Sequence, residues 1–316
     1  MGSSEGGAFI AIYRNAFLIY NPAARGLDGW RIAGIDRAAI ALREAGHGVD
    51  LVPTEAPGAG SGLARECLRR GADLILVAGG DGTINEVANG MVHQEVPLGI
   101  LSAGTANVLA TELGLAGPLE QIAAQVGRWL PRRIAAGLLT TGADGATRYF
   151  LMMAGVGLDA HVVRNVDPNL KKFQGKLSFV LAAFGEFGRT LEEFDVVAGE
   201  STFRASFALA SRVRNYGATL ELTPQAGLLC EDFGLALFEG ANAFRYLEYL
   251  ASAVANRLDR TNGVTLIHVK SAEFRPLGDA PVYIELDGES AGCLPARIDL
   301  VPNALTLLCP PEFASG

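Results

Sequence analysis

The chain reads as an α/β domain built on a parallel sheet, followed by a mainly antiparallel β domain. Three observations lead there. Up to about residue 135, short β-type runs alternate with segments of helical periodicity, the pattern of a parallel sheet wrapped by helices. Beyond that point apolar residues recur at every second position, as on half-buried antiparallel strands. A length of 316 residues gives each half room for a core of its own.

In order, residues 16–20 (Ala-Phe-Leu-Ile-Tyr) form the first strand, and Ile32, Ile35, Ala39 and Leu42 follow at helical spacing until Gly46 stops the helix. A second strand is expected at 49–52, and Leu63, Cys67 and Leu68 mark a helix ending at Gly71. Residues 74–77 (Leu-Ile-Leu-Val) are continuously apolar, as in a strand covered on both faces. Residues 98–101 form a fourth strand, and the small and hydroxylated residues 102–107 open a helix carrying Val108, Leu109 and Leu113. Later, Phe203, Ala205, Phe207 and Leu209 alternate with smaller or polar residues, as do Phe233, Leu235 and Leu237, and Val282, Ile284 and Leu286. Two helical patterns interrupt this rhythm. One is the stripe Phe173, Leu177, Val180, Phe184 and Phe187 behind Lys171, Lys172 and Lys176; the other spans 244–258.

Charged residues at 19% and hydrophobic ones at 49% describe an ordered, enzyme-like globular chain. A formal net charge of -8 argues against a nucleic-acid partner, whose phosphates need a basic face. Cys67, Cys230, Cys293 and Cys309 have no paired spacing, so a reducing cytoplasm fits better than a disulfide framework or a zinc site. Neither a signal peptide nor a run near the roughly 18 apolar residues of a membrane span is present.

The most informative segment is 79–85, Gly-Gly-Asp-Gly-Thr-Ile-Asn, between the third strand and a helix. Glycines there let backbone amides approach a bulky anion, and the dipole of the following helix favours negative charge. Asp81 is out of place beside bare phosphate but suits a magnesium ion or its waters. The plainer alternative is a strand-to-helix turn in which Asp81 caps Thr83 or Ile84. Both this loop and 102–107 follow strand carboxyl ends, where ligands of open α/β sheets bind.

With that string in place, the chain resembles the diacylglycerol kinase catalytic family, specifically bacterial lipid kinases of the YegS and DgkB type. The resemblance runs through Asn21-Pro22, residues 79–86, Gly104-Thr-Ala-Asn107, Gly155-Val-Gly-Leu-Asp159, Asn215-Tyr-Gly217, Thr223-Pro224, Glu231-Asp232 and Leu286-Asp-Gly-Glu289, with Pro302 beyond. It implies an ATP-binding domain at 8–135, to which the tail 303–316 returns, and a β-sandwich lipid-substrate domain at 136–302, with the active site in a cleft between them. ATP, magnesium and transfer of the γ-phosphoryl group to a lipid hydroxyl are implied with it. Diacylglycerol is the default acceptor, and a sphingoid base, ceramide or phosphatidylglycerol would use the same machinery.

Carried over residue by residue, Asn21, Pro22, Ala23, Ala24, Arg25, Thr54, Gly79, Gly80, Asp81, Gly82, Thr83, Ile84, Asn85 and Thr105 approach ATP, with Asp81 in the metal-water network. Glu289 is the implied proton acceptor, with Asp287 its rival; both follow the face bearing Tyr283 and Glu285, read as outward. A second metal position maps to Asp232, with carbonyls of Leu229 and Gly234, although Phe233 displaces the family's glycine. Read without the resemblance, Asp287-Gly288 is a hairpin turn. The implied partner is a lipid at the membrane surface, met by a cytoplasmic protein without a transmembrane segment; whether it forms a homodimer stays open. Two other functions share parts of this pattern: a kinase of a soluble substrate related to NAD kinase or phosphofructokinase, and a nucleotide-binding regulator without catalysis. His161, the lysines before the aromatic stripe, and Arg128, Arg132 and Arg133 read more simply as structural or solvated groups.

Overall fold

The computed structural model describes residues 11–22, 29–104, 106–142, 145–158, 191–216 and 220–314, with the side chains of 29–32, 243 and 244 left aside. By its contacts the chain divides into two compact units, residues 1–133 with 305–316, and residues 134–304.

In the first unit the elements alternate: β1 (Ala16–Tyr20), α1 (Gly29–Glu44), β2 (Val49–Pro53), α2 (Gly60–Arg69), β3 (Leu74–Gly79), α3 (Asp81–Met91), β4 (Leu98–Ser102), α4 (Val108–Glu112) and α5 (Leu119–Ala123). The strands lie in the order β2-β1-β3-β4, all parallel, and residues 305–309 of the chain's last strand join beside β4 with Leu307 opposite Leu98. Every residue of β3 is buried, which explains its unbroken apolar sequence. Leu18, Leu74, Leu76 and Leu308 from the strands pack with Ile35, Leu42, Ile122 and Trp129 into one core. Because β2 and β3 flank β1 on opposite sides, the strand order reverses between β1 and β3. That switch point leaves a crevice beyond the strand carboxyl ends.

The second unit is a sandwich of two sheets. One contains β5 (Leu130–Thr141), β6 (Ala146–Phe150), β8 (Phe194–Ala198), β9 (Ser201–Ala205), β15 (Ser271–Pro276) and the first part of β18 (Ala296–Cys309). The other runs β14 (Val264–Val269), β13 (Phe233–Phe238), β10 (Phe207–Ser211), β7 (Met153–Gly157), β16 (Tyr283–Leu286), β17 (Glu289–Cys293). The pairings between these six are antiparallel. A small ladder, β11 (Asn215–Tyr216) with β12 (Leu220–Glu221), and the helix α6 (Ala243–Val254) complete it, while a last turn, α7 (Pro311–Ala314), belongs to the first unit. Phe150, Phe194, Phe274 and Ile298 from one sheet meet Val156, Phe233, Leu235 and Ile284 from the other in a common core.

Three readings are corrected here. The alternation through Phe203 to Leu209 is not one strand: it breaks at Ser206, so β9 and β10 enter different sheets. Ser206 is held at the bend because its amide donates to the Phe238 carbonyl at 2.9 Å and its hydroxyl to that of Gly240 at 2.7 Å. Its own carbonyl accepts from Leu158 and faces Gly157, which has φ +89° and where a Cβ would stand 2.3 Å from that oxygen. Second, Arg132 and Arg133 are more than solvated charges. Arg132 donates to the Ala314 carbonyl at 2.8 Å, and Arg133 to the Gln94 carbonyl at 2.7 Å and the Thr306 hydroxyl at 3.0 Å, so both fasten the returning tail. Third, the face of β16 read as outward is not: Glu285 is 1% and Asp287 6% exposed. Asp159, His161, Gly217 and the 171–187 segment lie outside the described residues.

Candidate active site

Four loops meet at the carboxyl ends of the first unit's strands, joined by backbone bonds that continue the ladder past the strands themselves. Asn21 donates to the Ala78 carbonyl at 3.2 Å, Thr54 to that of Tyr20 at 2.8 Å, and Ala103 to that of Gly79 at 3.3 Å. Asn21, Pro22, Thr54, Gly79 and Gly80 are thereby gathered at the switch point. Ala23, Ala24, Arg25 and Thr105 lie outside the described residues.

The glycines are needed for close approach. A Cβ on Gly104 would stand 2.4 Å from the Gly80 Cα, and one on Gly79 would stand 2.8 Å from the Thr83 Cβ. The second loop is closed by Asn107, whose Oδ1 accepts from the Gly104 amide at 2.8 Å while its Nδ2 donates to the Gly104 carbonyl at 2.9 Å. With φ +48°, Asn107 is one of few non-glycine residues in the left-handed region, where its short side chain can bond locally.

Asp81 opens α3, and Gly80 precedes it with extended backbone. The carboxylate does not cap its own helix through Thr83 or Ile84, since Ile84 donates to the Gly80 carbonyl. It reaches instead to the adjoining loop, accepting from Val108 at 3.2 Å and Leu109 at 3.4 Å. Burial pushes the Asp81 carboxyl above its ordinary range, against the opposite pull of those amides, and no cationic side chain among the described residues enters the balance. A divalent ion beside it would remove that cost, so Asp81 fits a metal-water network. Ile84 and Asn85 turn inward at 1% exposure, so this part of the string can offer a ligand only backbone.

Glu86, which has no assigned role in the sequence analysis, holds the neighbouring helix. Its Oε1 accepts from the Gly58 amide at 2.8 Å and its Oε2 from that of Gly60 at 2.9 Å, satisfying donors at the start of α2. The signal was its place at the end of the glycine-rich string, one turn after Gly82.

In the second unit, Leu286 and Glu289 pair across a two-residue hairpin turn in which Asp287 has φ +50° and Gly288 φ +86°. That is the primed turn an Asp-Gly pair favours. The turn is also an anchor. The Asp287 carboxylate accepts from the amides of Leu151, Met152 and Met153 at 2.9, 3.0 and 2.9 Å, and its own amide donates to the Met153 carbonyl at 3.0 Å. Bonded to three amides, this buried carboxylate ties the hairpin to the start of β7. Glu289 beyond it is partly exposed and paired with Arg148 of β6. Of the two rivals, Glu289 has the accessibility that proton transfer needs.

Of the residues mapped to the second metal position, Asp232 faces a histidine of β14. Asp232 Oδ2 lies 3.2 Å from His268 Nδ1, and the other ring nitrogen of His268 is 3.0 Å from Gln225 Oε1. Leu229 has an exposed side chain, and Gly234 sits within buried β13, in register with Ser211 and His268.

A parallel sheet with glycine loops at its switch point, followed in the chain by an antiparallel sandwich, is a kinase architecture. Residues 15–139 match the diacylglycerol kinase catalytic domain, and residues 152–309 match the YegS C-terminal NAD kinase beta sandwich-like domain. The chain belongs to this family of lipid kinases. It is 27% identical over 311 residues to the diacylglycerol kinase of Bacillus subtilis, covering 95% of this chain and 98% of that one. A "Probable lipid kinase YegS-like" of Stenotrophomonas maltophilia is 29% identical over 259 residues, covering 78% and 81%. The crystal structure of a diacylglycerol kinase from Bacillus anthracis shares the fold, with TM-score 0.76 at 19% identity over 95% of this chain and 98% of that one. Among the described residues, no helix is long and apolar enough to cross a membrane.

Proposed function

We propose that the protein transfers the γ-phosphoryl group of ATP to the hydroxyl of a lipid, with magnesium and with diacylglycerol as the default acceptor. The observation that carries this reading is Asp81: a half-buried carboxylate without a cationic partner among the described residues, set where two glycine loops touch at the switch point of a parallel sheet. Amides of residues 79–83 and the start of α3 bind the phosphates, and Gly80 and Gly104 let the two loops close on them. Asn21, Pro22 and Thr54 line the nucleotide side, with Ala23, Ala24, Arg25 and Thr105 assigned to it from the resemblance. Magnesium, held with its waters by Asp81, neutralises charge on the phosphate oxygens when bound. Glu289 takes the proton of the acceptor hydroxyl, and Arg148 fixes the direction of its carboxylate. Asp287 keeps the hairpin in place without touching the reacting atoms. The lipid is met at the membrane surface by a cytoplasmic protein.

The test is incubation with γ-labelled ATP and magnesium against a panel of diacylglycerol, ceramide, a sphingoid base, phosphatidylglycerol and NAD. Label in a lipid fraction is the expected result. Label in NAD alone would replace this reading with that of a soluble-substrate kinase, and no label in any fraction would favour a nucleotide-binding regulator.

A further inference from the structure

Arg212 is fully buried, yet no carboxylate among the described residues accepts a hydrogen bond from it. Its guanidinium is turned into the loop between β12 and β13, where Nη1 donates to the Cys230 carbonyl at 3.3 Å and Nη2 to that of Leu228. Its backbone is anchored as well, the amide donating to the Met152 carbonyl at 2.7 Å. Two carbonyls of one loop converging on a buried positive charge, with Asp232 near enough to act on that charge, reproduce what a loop does around a bound cation.

We infer that Arg212 is the internal cation of this loop and takes the place of the second metal ion that the family resemblance implies. Four observations agree. The carbonyls of Leu228 and Cys230 already have a donor. Asp232 has one oxygen engaged with His268, which leaves only buried Oδ1 without a hydrogen-bond partner among the described residues. Gly234, whose carbonyl the resemblance would offer to the ion, lies inside β13 with β10 and β14 on either side. Among the described residues no three His, Cys, Asp or Glu side chains gather closely enough to hold a metal.

A guanidinium also suits the task chemically. It stays charged when buried, and its planar fork fits two carbonyls, whereas an exchangeable ion can be lost to a chelator. The loop is therefore permanently set, independent of divalent metal. This inference concerns the second unit alone and does not depend on the kinase reading.

The experiment uses the full chain without nucleotide and follows hydrogen-deuterium exchange in peptides covering 225–232, in EDTA and in millimolar magnesium or calcium. Wild-type exchange in this loop is expected to be the same in all three. Arg212→Met should speed it at least about tenfold while peptides of β1 and β3 remain protected, and Arg212→Lys should fall between. Should Arg212→Met fail to fold, the metal arm on the wild type still decides. Magnesium or calcium slowing exchange in the wild-type loop, with that slowing abolished by Asp232→Asn, would overturn the inference, as would an Arg212→Met loop that exchanges like the wild type.

Discussion

Asp81 and Asp287 are both acidic residues beside glycines, and both bind backbone amides of a distant segment, yet the two are finished differently. Asp287 receives three amides at 2.9 to 3.0 Å and donates one bond in return. Asp81 receives two longer ones, at 3.2 and 3.4 Å, and burial leaves its carboxyl raised. A carboxylate with its bonding capacity filled by the chain is a fastening. One left partly filled in a desolvated loop is costly to the fold, and the cost is recovered when a cation arrives.

The strongest way to break this distinction is to remove charge where chemistry is assigned. Glu289→Gln should lower phosphoryl transfer about 10²- to 10⁴-fold, the usual contribution of a general base, while leaving the urea midpoint within error. A variant that keeps wild-type turnover would take Glu289 out of the reaction. Next in size is Asp287→Ala, which strands three amides and places alanine at φ +50°; a loss of about 3–5 kcal/mol in equilibrium unfolding is expected. Asp287→Asn, which tolerates that backbone, should cost less. If Asp287→Ala unfolds like the wild type, the carboxylate is not the fastening described.

Smaller effects sharpen the contrast within the first unit. Gly104→Ala drives a methyl group against the Gly80 backbone, so stability should fall by about 1–3 kcal/mol and the KM for ATP should rise. Unchanged values for both would show that the two loops are not held in contact. The mildest test is at His47, whose buried Nδ1 accepts from the Tyr13 amide at 3.1 Å. Burial lowers its pKa, so the unfolded chain binds the proton more readily than the native one. Stability present above the ordinary histidine pKa of about 6.5 is then lost as pH falls through it toward the lowered native value. Urea midpoints between about pH 7.5 and 5 should show that decline, and His47→Gln should flatten it.

The sequence was informative where structure is local. An unbroken apolar run at 74–77 and glycines on its carboxyl side identify a buried parallel strand and its ligand loop, because burial on two faces and close backbone approach each demand particular residue types. It was silent where a residue's role depends on partners far along the chain. Asp287 reads as a surface hairpin residue because its three amide donors lie about 135 positions earlier. Arg212 reads as an ordinary cation, since carbonyl acceptors leave no side-chain signature. The period-two pattern through Ser206 could not reveal that one alternating run serves two sheets, because the bend rests on bonds from Ser206 to Phe238 and Gly240, far along the chain. Nor could spacing alone show that Asp287 is buried while Glu289 is partly exposed.

The most direct test of the account is Asp81→Asn, assayed side by side for transfer of label from ATP to lipid and for urea unfolding. The variant should lose at least about 100-fold in transfer, as expected when charge placed at the phosphates is removed. It should also unfold at the same or a higher urea concentration than the wild type, because a partly desolvated charge has gone. Full transfer in the variant, or loss of activity accompanied by loss of the fold, would contradict it.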